Sequence, residues 1–347
     1  MRKYICFILC IIICMSLCGC KQEKFTDYSF DFFDTVTTIV GFEKDKETFD
    51  KNCEEIKNQL AEYHKLYNIY NVYDGINNLA ICNQTKNGEH SEVKVDEKII
   101  KMLQFAKDMY NKTQGKLNVA FGSVLNIWHQ HREEGMNNPV SATLPKMEKL
   151  KTAAQHTNIN DVVIDKDNNS VFLRDGEMRL DVGAVAKGYA VEQVALWMES
   201  KGYNGYILNV GGNVRCVGKR SDGEKWKVGI ESPYTDNVEI PYIEYLSIDN
   251  MSLVTSGSYQ RFYVVDGKNY HHIIDPVTLM PAENFLSVSV LSKSSALADA
   301  LSTALFTMDY SQGLAIIENT EDAEAMWVMQ NGEQRYSSGF KNYCVEE

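Results

Sequence analysis

Basic residues are in deficit in this chain of 347. Lys and Arg total 35 against 47 Asp and Glu, a formal net charge of -12. A nucleic-acid binder needs a basic face to release counterions, so that class is excluded. Proline is scarce, at 6 residues, while aromatics make up 11% of the chain, a combination that excludes disorder for its bulk. There is no internal repeat, low-complexity block or Pro/Ser-rich linker, which favours one intimately built unit over two separable domains. No CxxC pair occurs, and five of the nine cysteines (Cys6, Cys10, Cys14, Cys18 and Cys20) crowd into the first twenty residues. The other four, Cys53, Cys82, Cys216 and Cys344, are far apart, so a zinc site is not expected. A disulfide among them suits an extracytoplasmic protein, but no pairing can be assigned.

The N-terminus reads as an address. Arg2 and Lys3 precede Tyr4–Leu17, which is apolar except for Ser16. That run falls short of the ~20 residues that span a bilayer, so it is a signal peptide and not a transmembrane helix. It ends in Leu17-Cys18-Gly19-Cys20, which resembles the lipobox of bacterial lipoproteins. An ordinary cleaved signal peptide is the alternative. The expected organisation is a signal peptide at 1–19, a lipidated Cys20 with a flexible tether to 28, and one large domain at 29–347. Cleavage would remove two positive charges and no acids, leaving 328 residues and a charge of -14. A body this acidic is repelled by anionic lipid, so the expected tether to a membrane is the acyl chain.

Pattern predicts mixed elements. Residues 29–42 read as a strand. Phe49, Cys53, Ile56, Leu60, Tyr63 and Tyr67 make one face of a helix over 45–68. A second helix runs from an Asp96 N-cap to Lys112, with Gly115 just past its end, and Thr143 and Pro145 open a third. Residues 162–164 and 171–173 form a hairpin. Strands are expected at 178–181, 205–210, 226–231, 245–248, 260–265 and 286–291, helices at 187–201 and 295–308, and a hairpin around Asn331-Gly332. Without regular βαβ repetition this is an α+β fold of mixed or antiparallel sheets with packed helices, a single large catalytic unit.

Five clusters could carry chemistry. Asp181 to Ala190 (DVGAVAKGYA) ends a strand and starts a helix with small residues, a junction suited to phosphate, with Lys187 as a point charge. It lacks Walker A spacing, and a tight strand–helix junction explains it equally well. Gly211-Gly212 suits either a wall against a flat ligand or a plain hairpin turn. Ser256, Gly257 and Arg261 lie on a loop that could hold a phosphate or ribose. Strand alternation puts His271 and His272 on opposite faces, so they do not share a metal. One of them could be a base oriented by Asp275, or the pair could be structural. Asp299, in an apolar helix, needs a partner or a cation. Thr303, at i+4, shares its face, and carboxylate plus hydroxyl suits a hard cation such as Mg²⁺. A capped Asp is the alternative.

Taken in order, DVGAVAKGYA (181–190), NVGGNVRCVG (209–218), WKVGIESP (226–233), VTSGSYQRF (254–262), HHIIDP (271–276) and LADALSTALF (297–306) resemble the FAD:protein FMN transferase family, long called thiamine-biosynthesis lipoproteins. The resemblance covers essentially the whole mature chain. It implies a T-fold-like architecture and a reaction that splits FAD at its pyrophosphate. FMN is then esterified through its phosphate to a Thr or Ser of another protein, and AMP leaves. It implies Mg²⁺ on Asp299, Thr303 and the Ala184 carbonyl. By the same matches Asp181, Lys187 and His272 would contact FAD, and the loop residues Ser256, Gly257 and Arg261 are expected on it as well. His272, with Asp275 nearby, is the expected general base on the acceptor hydroxyl.

Toward the N-terminus the match is looser. Phe33 stands in the place of a family Met and still offers the flavin an apolar wall, and Tyr70 falls near an aromatic flavin contact. Lys116-Leu117-Asn118 stands where a small residue, an aromatic and an Asp are common, and is expected on the cofactor. Trp128 and Arg132 are expected to be structural. The implied acceptors carry an Asp-x-Ser/Thr-Gly/Ala-Ala-Ser/Thr motif. They would be membrane redox-complex subunits or extracytoplasmic flavin reductases, met by a lipid-anchored enzyme outside the cytoplasm. Hydrolysis of FAD to FMN and AMP, and a non-enzymatic flavin- or solute-binding lipoprotein, are the competing functions.

Overall fold

The computed structural model describes residues 22–234 and 241–345; the proposed signal peptide and Cys20 lie outside the described residues. Eight strands form one sheet: β1 (Glu23–Phe32), β2 (Thr35–Glu43), β3 (Tyr206–Val210), β4 (Asn213–Val217), β5 (Ser252–Gly257), β6 (Phe285–Ser292), β7 (Ala323–Met329) and β8 (Gln334–Tyr336). Their order across the sheet follows their order in the chain, and every neighbouring pair is antiparallel. The chain thus lays down a meander and interrupts it with long excursions. The excursion between β2 and β3 holds helices α1 (Lys46–Tyr67), α2 (Glu97–Lys112), α3 (Gly122–Asn137) and α4 (Ala186–Ser200). The one between β6 and β7 holds α5 (Ser295–Phe306) and α6 (Tyr310–Glu318).

Strand alternation gives the sheet two apolar faces. Val254, Val290 and Ala325 point into a core shared with α1, α4 and α5. Their neighbours Leu253, Leu291 and Met326 point the other way, against the hairpin Trp226–Glu231/Tyr242–Ile248. The six apolar positions of α1 read from the sequence are all buried, and Asp45 caps the helix by accepting from the Thr48 amide. Each large apolar side chain buried this way stabilises the fold by about 1.5–3 kcal/mol. A third cluster packs Phe121, Val124 and Trp128 of the α3 region against Tyr263, Ile274 and Leu279. It docks the hairpin Phe262–Val265/Lys268–His271 onto α3, where the Trp128 indole N–H donates to the Leu279 carbonyl at 2.9 Å.

Three segments depart from expectation. Residues 29–42 are not one strand but the meeting of β1 and β2 across a two-residue turn. Phe33 and Asp34 both take positive φ, 53° and 51°, the conformation of a type I′ turn that matches strand twist. The flexible tether expected to residue 28 is strand from Glu23 onward, because Glu23 to Ser29 pair in register with Glu43 to Thr37. Met178–Asp181, expected as a strand, joins no sheet. The Asn83 side-chain amide bonds both the Leu180 carbonyl (2.9 Å) and the Leu180 amide (2.7 Å), taking the place of a neighbouring strand. Cys53, Cys82, Cys216 and Cys344 are all free thiols.

Candidate functional site

The centre of the site is the crossing of α4 and α5, and one glycine permits it. A Cβ on Gly188 would stand 2.3 Å from the Asp299 Cβ and 2.6 Å from the Ser295 carbonyl oxygen. With no side chain there, the Gly188 amide donates to Asp299 Oδ2 at 2.7 Å. Gly188 is the third residue of α4, so its amide is one of those a helix N-terminus leaves unpaired, and Asp299 satisfies it. Ala184 stands in the 183–185 turn, just before the N-cap Val185, and its carbonyl lies outside the helix ladder.

Asp299 is buried within α5, and the Lys187 ammonium stands 3.7 Å from its Oδ1. Burial holds the Lys187 ammonium below its ordinary pKa, offset by the Asp299 carboxylate and reinforced by Arg261. Thr303 lies one turn beyond Asp299 on the same face. The Ser256 hydroxyl, near the end of β5, meets Ser302 Oγ at 2.9 Å and Thr303 Oγ1 at 3.3 Å. Ser256 thus orients Thr303 instead of standing free for a ligand. Gly257 is needed for a local reason, since a Cβ there would reach the Tyr259 ring at 2.4 Å. Asp181 precedes the junction, accepting from the Gly183 amide at 2.9 Å, and burial raises its pKa.

Among the described residues no three His, Cys, Asp or Glu side chains converge. A cation here would therefore be held by one carboxylate and neutral oxygens. Asp299, the Thr303 hydroxyl and the Ala184 carbonyl are hard donors of that kind, and they fit Mg²⁺.

His272 approaches from the hairpin excursion between β5 and β6. Its amide and its Nδ1 both face the Arg261 carbonyl, at 3.1 and 3.2 Å. A carbonyl only accepts, so Nδ1 carries the proton and Nε2 keeps its lone pair. Burial, with the Arg261 cation second, holds the imidazole down to about 3, so it is neutral. Asp275 does not orient this ring. Its Oδ1 accepts from Lys116 Nζ at 2.8 Å and from the Val277 amide at 3.1 Å. His271 is structural, with Nε2 donating to the Ala282 carbonyl at 2.8 Å and Nδ1 accepting the Ile273 amide.

The Arg261 guanidinium also donates to the Asp34 carbonyl at 3.2 Å, which brings the β1–β2 turn to the site. Phe33 stands there edge-on to His64, whose Nδ1 accepts the Phe33 amide at 3.0 Å. A bulky residue at positive φ costs of order 1–3 kcal/mol, a strain that concentrates at functional sites. Tyr70 is 53% exposed and lies 5.0 Å, centroid to centroid, from the His129 ring. Burial of its hydroxyl end pushes the phenol up to about 12, with the Asp181 charge adding to the rise.

Two expected cofactor contacts are placed elsewhere. Leu117 is 1% exposed and belongs to the core. Asn118 is used up by the backbone, donating to the Thr157 carbonyl and accepting the Ala120 amide, both at 2.9 Å. Lys116 is engaged by Asp275 and by the Thr307 carbonyl. Two residues gain importance. The Arg132 guanidinium bonds His129 Nδ1 at 2.8 Å, and its charge acts on Asp181, Tyr70 and His272. Their i, i+3 spacing on α3 was the available signal, but the sequence does not show that α3 lies along the site.

Fold and site define a class: an α+β protein whose helix crossing sets a carboxylate and a hydroxyl beside a lysine and an arginine. The chain belongs to the ApbE family, whose model matches residues 33–327. The FAD:protein FMN transferase of Klebsiella pneumoniae is 31% identical over 249 residues, 70% of this chain and 72% of that one. The Haemophilus influenzae protein of the same name is 26% identical over 331 residues, 92% of this chain and 91% of that one. The crystal structure of the ApbE protein from Thermotoga maritima matches with a TM-score of 0.81 at 27% identity, covering 93% of this chain and 100% of that one. The flavin transferase ApbE from Vibrio cholerae matches at 0.74 and 25% identity, covering 93% and 99%.

Proposed function

We propose that this chain is a Mg²⁺-dependent FAD:protein FMN transferase, the activity its relatives are named for. One observation carries the reading: at the α4–α5 crossing Asp299 accepts the Gly188 amide and stands 3.7 Å from Lys187, with Thr303 on the same helix face. Asp299, Thr303 and the Ala184 carbonyl would hold the cation, which when bound offsets negative charge building on the pyrophosphate oxygens. Lys187 and Arg261 supply fixed positive charge along the same phosphates. Asp181, Phe33 and Tyr70 line the remainder of the FAD cleft.

The step is a displacement at the FMN phosphorus. The acceptor hydroxyl oxygen forms the new P–O bond, and the bond from that phosphorus to the bridging oxygen breaks. AMP leaves with the electron pair. The hydroxyl proton passes to His272 Nε2, which is free because Nδ1–H is committed to the Arg261 carbonyl; the phosphates of bound FAD, anions beside the ring, would raise the imidazole from about 3 toward the range of a working base. Positioning supplies the rest of the rate.

The acceptor would be a membrane redox subunit or an extracytoplasmic flavin reductase. A Cys20 lipid anchor would hold the enzyme at the outer face of the cell membrane. Incubating residues 20–347 with FAD, Mg²⁺ and an acceptor bearing the Asp-x-Ser/Thr-Gly/Ala-Ala-Ser/Thr motif should give a flavin that stays on the acceptor through denaturation. AMP release with no acceptor flavin would instead assign FAD hydrolysis. Neither product, with a competent control enzyme working, would leave only ligand binding.

A further inference from the structure

We propose that Lys116 is a positioning residue that clamps the His272 loop to the metal-bearing helix. The inference rests on the transferase reading above. Lys116 Nζ lies 2.8 Å from Asp275 Oδ1 and 2.8 Å from the Thr307 carbonyl oxygen. Thr307 is the C-cap of α5, so the ammonium sits where a helix end presents unpaired carbonyls and favours a cation. Thr307, Thr303 and Asp299 are four residues apart in succession, which sets them on one stripe of the helix. Lys116 therefore holds the end of the stripe that carries the proposed metal ligands.

Its other partner is the hub of the turn that follows His272. The Asp275 amide donates to the Met280 carbonyl at 2.9 Å, and the Leu279 amide donates to the Asp275 carbonyl at 2.8 Å. Asp275 Oδ1 also accepts the Val277 amide at 3.1 Å. The Ala282 amide donates to the Ile273 carbonyl at 3.0 Å, and Ile274 bridges Pro281. Residues 273–282 thus form a braced turn, continuous with His272. Base and cation come from different excursions of the chain, one between β5 and β6 and the other between β6 and β7. Lys116, from a third excursion, joins them through two hydrogen bonds. The Lys116 and Asp275 side chains are only 19% and 15% exposed, so the pair is shielded more than a surface ion pair. A misplacement of about 1 Å between reacting groups costs up to about 10²-fold in rate, so a clamp of this kind acts on turnover and not on ligand affinity.

The test is steady-state FMN transfer by Lys116→Met, Lys116→Arg, Asp275→Asn and the Lys116→Met/Asp275→Asn double variant. Lys116→Met should lower kcat about 10- to 100-fold with the KM for FAD unchanged. Lys116→Arg, which can keep both contacts, should recover part of the loss. The double variant should fall little below Lys116→Met, because the pair acts as a unit. A raised KM at unchanged kcat would place Lys116 on FAD and overturn the proposal, as would fully additive losses. Hydrogen exchange of the folded protein separates this from a failure of the functional reading. Lys116→Met should speed exchange of the Leu279 and Ala282 amides about ten-fold, whatever reaction the wild type performs. Unchanged protection of both amides would remove the clamp even if FMN transfer is confirmed.

Discussion

The two ends of the cleft differ in how they are built. At the α4–α5 crossing, Ala184, Lys187, Asp299 and Thr303 are set by local rules: a strand–helix junction, an i, i+4 pair and one glycine. At the other end, Phe33, Tyr70 and the His129–Arg132 pair come from a turn, a loop and α3, and only tertiary packing brings those three segments to one place. On the proposed function the first end would serve phosphate and cation. The second, a more open surface of aromatic and cationic groups, would serve the flat ring. Chemistry would then belong to the first and selectivity for the ring to the second.

The largest effect that would break this division comes from His272, which serves the reacting end. His272→Ala should lower the turnover of FMN transfer by about 10²- to 10⁴-fold, measured by covalent flavin on the acceptor. Retained turnover would move the base elsewhere. Gly188→Ala comes next, because its Cβ has no room against Asp299. Overpacking of this kind costs about 1–3 kcal/mol, and the variant should show both a lowered Tm and a weakened Mg²⁺ response. A change in Tm alone would separate helix packing from cation binding.

Tyr70→Ala sharpens the opposite side of the comparison. Loss of one aromatic contact, worth about 0.5–1.5 kcal/mol, should raise the KM for FAD several-fold while the Mg²⁺ dependence stays as in the wild type. A further effect, on stability and not on turnover, depends on pH. His272 in the folded chain is held to about 3, below its unfolded value near 6.5. Its contribution to stability is therefore full above about pH 6.5 and is lost as pH falls toward 3. Urea unfolding should show wild type losing more stability than His272→Gln between pH 7 and pH 5. Equal losses would mean that the ring is as free to protonate as in the unfolded chain.

The same contrast explains what the sequence disclosed. The stripe of α1, the Asp96 cap and the Asp299/Thr303 face are periodic, so they are visible along one dimension. The strands at 205–210, 226–231 and 286–291 read correctly for the same reason. Asp275 beside His272 suggested a pair, but the turn after His272 sends the carboxylate to Lys116, 159 residues away in the chain. Leu117 and Asn118 matched a family position, yet one is core and the other caps a turn. Phe33-Asp34 read as mid-strand because nothing in an aromatic, β-branched run announces two residues at positive φ. Arg132 looked structural because its neighbours Asp181 and Tyr70 lie far from it in sequence.

The central claim is that the α4–α5 crossing binds phosphate and cation together. It is tested most directly by titrating FAD fluorescence with and without Mg²⁺ in wild type and Asp299→Ala. Even residues that only support a metal ligand change affinity by about 10- to 100-fold, so loss of the carboxylate itself should be at least as severe. The account predicts that Mg²⁺ tightens FAD binding in the wild type and has no effect in Asp299→Ala. An equal Mg²⁺ effect in both proteins would contradict it.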